Sequence, residues 1–142
     1  MSFITSRPIL TETFFAAKLP PDCGAMATFF GVVRDHHADR AVIRLHYDCY
    51  PAMAEKRIHL IRDDIRERWQ LRDLRILHRV GTLEIGEIAL AVAATSAHRA
   101  EAFAACEETV ERIKSEVPVW KNEFYADGTS LWVSCSHAGI VS

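Results

Sequence analysis

"LRILHRVGTLEIGEIALAVAATS", residues 74–96, carries two strand-like runs joined through Gly81 and Gly86. The second run is almost wholly apolar, the pattern of a strand covered on both faces, and this predicts a central strand. After Ser96 the period changes. Phe103, Cys106, Val110, Ile113 and Val117 recur at spacings of three and four, which predicts one helical stripe ending before Pro118. Beyond it, "LWVSCS", residues 131–136, reads as a last strand.

Upstream of residue 74 the same logic gives a strand over "GAMATFFGVV", residues 24–33, with Arg34 where it leaves the core. "AVIRLHYDC", residues 41–49, sets Val42, Arg44, His46 and Asp48 against Ile43, Leu45, Tyr47 and Cys49, a half-buried strand hairpinned to the first. Pro51 suits the first turn of a helix whose apolar positions Ala54, Ile58, Ile61 and Ile65 run up to Trp69. "TETFFAAK", residues 11–18, reads as a short helix capped by Thr11 and stopped by Pro20 and Pro21. Helices alternating with hairpin-forming strands predict an α+β domain, one for all 142 residues.

The formal net charge of -2 argues against a general nucleic-acid surface. No segment approaches the roughly 18 apolar residues of a membrane span, and "MSFITSRPIL" lacks a signal-peptide core. Cys23, Cys49, Cys106 and Cys135 are widely spaced, without a C-x-x-C pair, as expected of reduced thiols in a cytoplasmic protein. Cys49 and His46 fall on opposite faces of their strand, against a thiol catalyst.

Thirteen arginines accompany only four lysines, and two of the lysines, Lys114 and Lys121, flank Pro118 and Trp120. A lysine can lose its proton and act as base or nucleophile where an arginine cannot. Trp120 can anchor the segment and fix the direction in which Lys121 leaves it. Spacing leaves open whether the two amines converge on a ligand or Lys114 only edges an amphipathic helix. In "TSAHR", residues 95–99, His98 and Arg99 occupy the start of a helix, where free amides and the dipole favour an anion. The bland alternative is Ser96 as cap with both basic residues in water. His36 and His37 in "RDHHADR" read as a solvated loop, since adjacent histidines do not share a strand face and a third metal ligand is missing. His78 and Arg79, at a strand end, read as either structural or functional.

In order along the chain, "GAMATFFGVVRDHH", "LHYDCYPAMAEK", "ILHRVGTLEIGE", "TSAHRAEAF" and "IKSEVPVWKNE" resemble the large, catalytic subunit family of molybdopterin synthase. The resemblance implies an α/β-hammerhead fold with an additional antiparallel sheet. It also implies a sulfurtransferase of molybdenum cofactor biosynthesis that converts cyclic pyranopterin monophosphate to molybdopterin. Sulfur would come from the C-terminal thiocarboxylate of a ubiquitin-like small subunit, with no metal and no other cofactor required. Large subunits would form a homodimer inside a heterotetramer. By motif, Lys114 and Lys121 become catalytic. Arg34, His98 and Arg99 become substrate-binding, the last two reaching across the dimer, and Val32, Val33, Asn122 and Glu123 line the pocket. The loop "RDHHADRAV" departs from the family in lacking a glycine before the next strand. A non-catalytic module that keeps a groove for a ubiquitin-like tail is the alternative from another class.

Overall fold

The computed structural model describes residues 2–15 and 18–134. Its first sheet contains β1 (Ile4–Thr5), β5 (Asp73–Arg79), β7 (Ile88–Ser96) and β2 (Ala25–Val32), in the order β1-β5-β7-β2. The β1–β5 pair is parallel; the other pairs are antiparallel. The two long helices, α2 (Pro51–Arg68) and α3 (Arg99–Glu116), pack together and cover one face of this sheet. The α2 stripe Ala54, Ile58, Ile61 and Ile65 is fully buried against it, as its spacing predicts.

Strand β7 explains its own composition. Leu90, Val92 and Ala94 join the helix-covered core, while Ala91 and Ala93 meet Ile9 and Phe14 of the N-terminal segment on the opposite face. Both faces are therefore dry, and alternation disappears from the sequence.

The second sheet contains β3 (His36–His37), β4 (Arg40–Cys49), β8 (Val119–Tyr125) and β9 (Ser130–Ser134), with β6 (Gly81–Glu84) also pairing with β4. Residues 74–96 thus form three strands rather than two. The chain leaves the first sheet after β5, adds β6 to the second, and returns as β7. Gly81 and Gly86, at φ +98° and +90°, take the left-handed backbone that these two reversals need. Arg79, almost fully buried, fastens the excursion by bonding Glu87 and the Thr82 carbonyl.

Other expectations are corrected. Strand β2 pairs with β7, not with β4; the hairpin preceding β4 is made by β3 through a two-residue turn. That turn lacks glycine, and Ala38 and Asp39 both adopt positive φ, 50° and 64°. This is the mirror-image geometry that suits the twist of paired strands. In β4 the register shifts between Val42 and Arg44, so Ile43 is extruded to the surface and Val42 is buried in its place.

The stripe on α3 is Ala102, Ala105, Cys106, Thr109, Val110 and Ile113; Phe103 is 67% exposed. At about 100° per residue Phe103 lies roughly 90° from the centre of that face. Small alanines let the helix sit close to the sheet. The first helix, α1 (Thr11–Phe14), is one turn long, and its N-cap is Leu10 rather than Thr11. Residues 16, 17, 135 and 136 of the expected first helix and last strand lie outside the described residues.

Candidate functional site

The two sheets and the end of α3 enclose a cavity of about 520 Å³. Lys114 reaches it from the last turn of α3, where a cation complements the helix dipole. Val117 ends that helix, its N–H bonding the Ile113 carbonyl, and Pro118 turns the chain directly into β8. Lys121, two residues into the new strand, faces the same cavity. Strand β8 is held between β4 and β9, so this lysine is mounted on a sheet interior rather than on a loop. The two amines, seven positions apart in sequence, do converge on one space.

Alternation along β8 sends Val119, Lys121 and Glu123 into the cavity and Trp120, Asn122 and Phe124 to the other face. Asn122, expected beside the substrate, is therefore turned away; its Oδ1 is buried without a hydrogen-bond partner among the described residues. Trp120 stacks edge-on against Tyr50, ring centroids 5.0 Å apart, and anchors the strand from that outer side.

Glu123 is 2% exposed. One carboxylate oxygen accepts the Tyr125 hydroxyl at 2.8 Å and pairs with His37 Nδ1 at 2.7 Å, while the other lies 3.6 Å from the Lys121 ammonium. Burial pushes this carboxyl up, but the hydrogen bonds from His37 and Tyr125 and the charge of Lys121 outweigh it and hold it below the usual range. The Arg40 guanidinium, 3.6 Å from the Tyr125 ring centroid, stiffens the group from behind. The two histidines of the β3 hairpin thus diverge: His36 pairs with Asp35 in solvent, whereas His37 turns inward.

The opposite wall comes from the end of β2. Val33 is buried, its N–H bonding the Glu87 carbonyl and its carbonyl accepting the Gly86 N–H. This pins the backbone where Val32 and Arg34 border the cavity. His78, 5% exposed, completes the wall. Burial drives its imidazole down to about 4, the Arg79 carbonyl opposing and Lys114 reinforcing the change. It is a neutral ring at pH 7, so Lys114, Lys121 and Arg34 supply the positive charge, and among the described residues Glu123 is the only carboxylate lining the space. The combination suits an anionic ligand with an apolar body, which Phe29, Phe30 and Leu90 can contact.

His98 is the N-cap of α3 and Arg99 its first residue, and both are exposed outside the cavity. Ser96 is not the cap; buried in β7, it donates to the His98 carbonyl. Arg99 and Lys114 lie fifteen residues apart on one straight helix, about 22 Å along its axis. They cannot hold one small ligand within a single chain. Cys49 is buried and its thiol pushed up, first by burial and then by Asp48 and Glu55, which disfavours a thiolate.

Residues 4–116 match the family described as MoaE protein. The chain is 38% identical over 130 residues to the molybdopterin synthase catalytic subunit of Halalkalibacterium halodurans, covering 92% of this chain and 83% of that one. Its identity to the same-named subunit of Bacillus subtilis is 39%, over 92% and 82% of the two chains. The crystal structure of molybdopterin synthase from Staphylococcus aureus superposes with a TM-score of 0.85 at 38% identity, covering 92% of this chain and 95% of that one.

Proposed function

Because the chain belongs to the MoaE protein family, we propose that it is the catalytic subunit of a molybdopterin synthase, acting in the cytoplasm on cyclic pyranopterin monophosphate. Sulfur reaches it as the thiocarboxylate at the C-terminus of a ubiquitin-like small subunit, whose extended tail enters the cavity. The observation that carries this reading is the meeting of Lys114 and Lys121 in one cavity with Arg34.

The chemistry needs a charged sulfur nucleophile and a phosphorylated substrate brought together, which three cations lining one cavity favour. Arg34 suits a planar, bidentate grip on phosphate. A lysine beside the reacting centre can protonate the oxygen that leaves the substrate carbon, and a second can stabilise the oxyanion formed when the acyl group is attacked. Lys121, 3.6 Å from the Glu123 carboxylate, suits the electrostatic role. Lys114, at the end of α3 beside the buried His78, suits the proton-transfer role.

Large subunits pair in the proposed heterotetramer, so that His98 and Arg99 of one copy complete the site of the other. The 22 Å separation along α3 supports this arrangement, because only a second copy can bring Arg99 near Lys114. The test is product formation from the pyranopterin and thiocarboxylated small subunit by wild type, Lys114→Ala and Lys121→Ala, each first shown to bind the small subunit. Turnover reduced by about 10²-fold or more in both variants is expected. Wild-type turnover in both would sink the assignment.

A further inference from the structure

Sulfur transfer from an acyl carrier creates a second chemical problem, and the cavity holds a group suited to it that the lysine chemistry leaves unused. While the sulfur is bonded both to the new carbon and to the carrier's carbonyl, the two molecules are joined as a thioester. Release requires water to attack that carbonyl: a C–O bond forms, the acyl C–S bond breaks, the carrier leaves as a carboxylic acid and the product keeps the sulfur as a thiolate. Water is a poor nucleophile at neutral pH and needs a base to take its proton.

Resting on the functional reading above, we propose that His37, oriented by Glu123, is the general base for this hydrolysis. The imidazole lines the cavity with its side chain 31% exposed, open enough to meet water, while the carboxylate beside it is 2% exposed. The 2.7 Å contact through Nδ1 fixes the ring orientation and the tautomer, leaving Nε2 as the accepting nitrogen. A buried carboxylate paired with one nitrogen of a histidine that lines the reacting space is the arrangement by which hydrolases hold and stabilise the imidazolium formed in mid-reaction.

The surroundings are built to keep this geometry. Tyr125 donates to the same carboxylate oxygen, so the Glu123 side chain cannot rotate freely. His37 itself precedes the tight turn at Ala38 and Asp39, two non-glycine residues held at positive φ, a conformation retained only where the surroundings enforce it. The proton taken from water passes from Nε2 to the departing thiolate or to solvent, and no oxidant or reductant is involved. Lys121, on the far side of the same carboxylate, is placed to stabilise the carbonyl oxyanion during the attack. Glu123 acts here as a positioning residue and His37 as a catalytic one.

The experiment is a single turnover of the assembled large and small subunits with cyclic pyranopterin monophosphate, quenched in acid and read by intact mass of the small subunit. His37→Asn retains an N–H donor for Glu123 but no base, and His37→Ala leaves room for added imidazole. With wild type forming product, His37→Asn is expected to slow release by about 10²-fold or more and to accumulate a small subunit bearing the substrate mass. Imidazole should restore release in His37→Ala. Wild-type release in both variants, or slow release with neither covalent adduct nor imidazole rescue, would overturn the assignment while leaving the lysine chemistry standing. A wild-type complex that forms no product would overturn the functional reading and this inference together.

Discussion

His78 links the cavity wall to the stability of the fold in a way that pH can isolate. Its ring is buried, bonded through Nδ1 to the Arg79 carbonyl at 2.9 Å and set edge-on against Tyr47 with ring centroids 5.4 Å apart. An ordinary histidine titrates at 6.5, and burial, partly offset by the Arg79 carbonyl and reinforced by Lys114, lowers this one to about 4. Between those values the unfolded chain holds a proton that the folded chain does not, so folding stability rises with pH. The stabilisation is complete above 6.5 and is lost as pH falls toward 4. A gap of about two and a half pH units at about 1.4 kcal/mol each amounts to about 3 kcal/mol. His78→Gln keeps a polar side chain but removes the titration. Urea unfolding at about pH 7 and about pH 4.5, extrapolated to water, should show the wild type losing about 2 kcal/mol more than the variant, since pH 4.5 stops short of the folded value. An equal loss in both proteins would refute a neutral, buried His78. Replacing Lys114 with methionine should move the His78 titration upward in an NMR pH series, because one cation opposing protonation is gone.

Glu123→Ala leaves the Tyr125 hydroxyl and the His37 ring without their shared acceptor; His37 can turn to water, but the buried Tyr125 hydroxyl costs about 1–3 kcal/mol unpaired, so thermal unfolding should fall by roughly 6 °C, whereas Glu123→Gln, which still accepts both bonds, should lose less than half of that. Equal losses would mean that packing rather than hydrogen bonding fixes this corner. If Arg99 completes the site of a second copy, inactive Lys114→Ala and Arg99→Ala chains mixed in equal amounts and allowed to exchange subunits should regain roughly a quarter of wild-type turnover, since half of the random dimers carry one intact site of two. No recovery would place both residues in one chain's site, against their separation along α3.

The elements that could be read from sequence are those whose environment is uniform along their length. Ile58, Ile61 and Ile65 recur because one face of α2 meets one continuous core, and residues 88–96 lose alternation because both faces of β7 are covered. What escaped the periodic reading depended on partners remote in sequence. Nothing local marks Ile43 as the extra residue of a bulge; its register is set by Phe124 and Tyr125, some eighty residues later. The same holds for β6, which abandons its neighbours in sequence to pair with β4. Phe103 was grouped with the stripe because an aromatic outweighs an alanine in any hydrophobic pattern, yet the close approach of α3 to the sheet selects Ala102 and Ala105.

The site divides along the same line. Lys114 and Lys121 were visible through their rarity and their motif, and Pro118 between them makes the sharp exit from helix to strand that brings both to one cavity. His37 reads as part of a solvated loop in sequence because its partner, Glu123, is 86 residues away and only the pairing of strands brings the two together. That pairing changes the electrostatics of the whole space. Three cations facing one cavity repel one another; the buried carboxylate anchored by His37 and Tyr125 lies 3.6 Å from Lys121 and gives that ammonium a partner of opposite charge. The asymmetry gives two chemically identical side chains different surroundings. One has a carboxylate partner two residues along β8. The other, at the end of α3, lines the cavity beside a histidine that stays neutral.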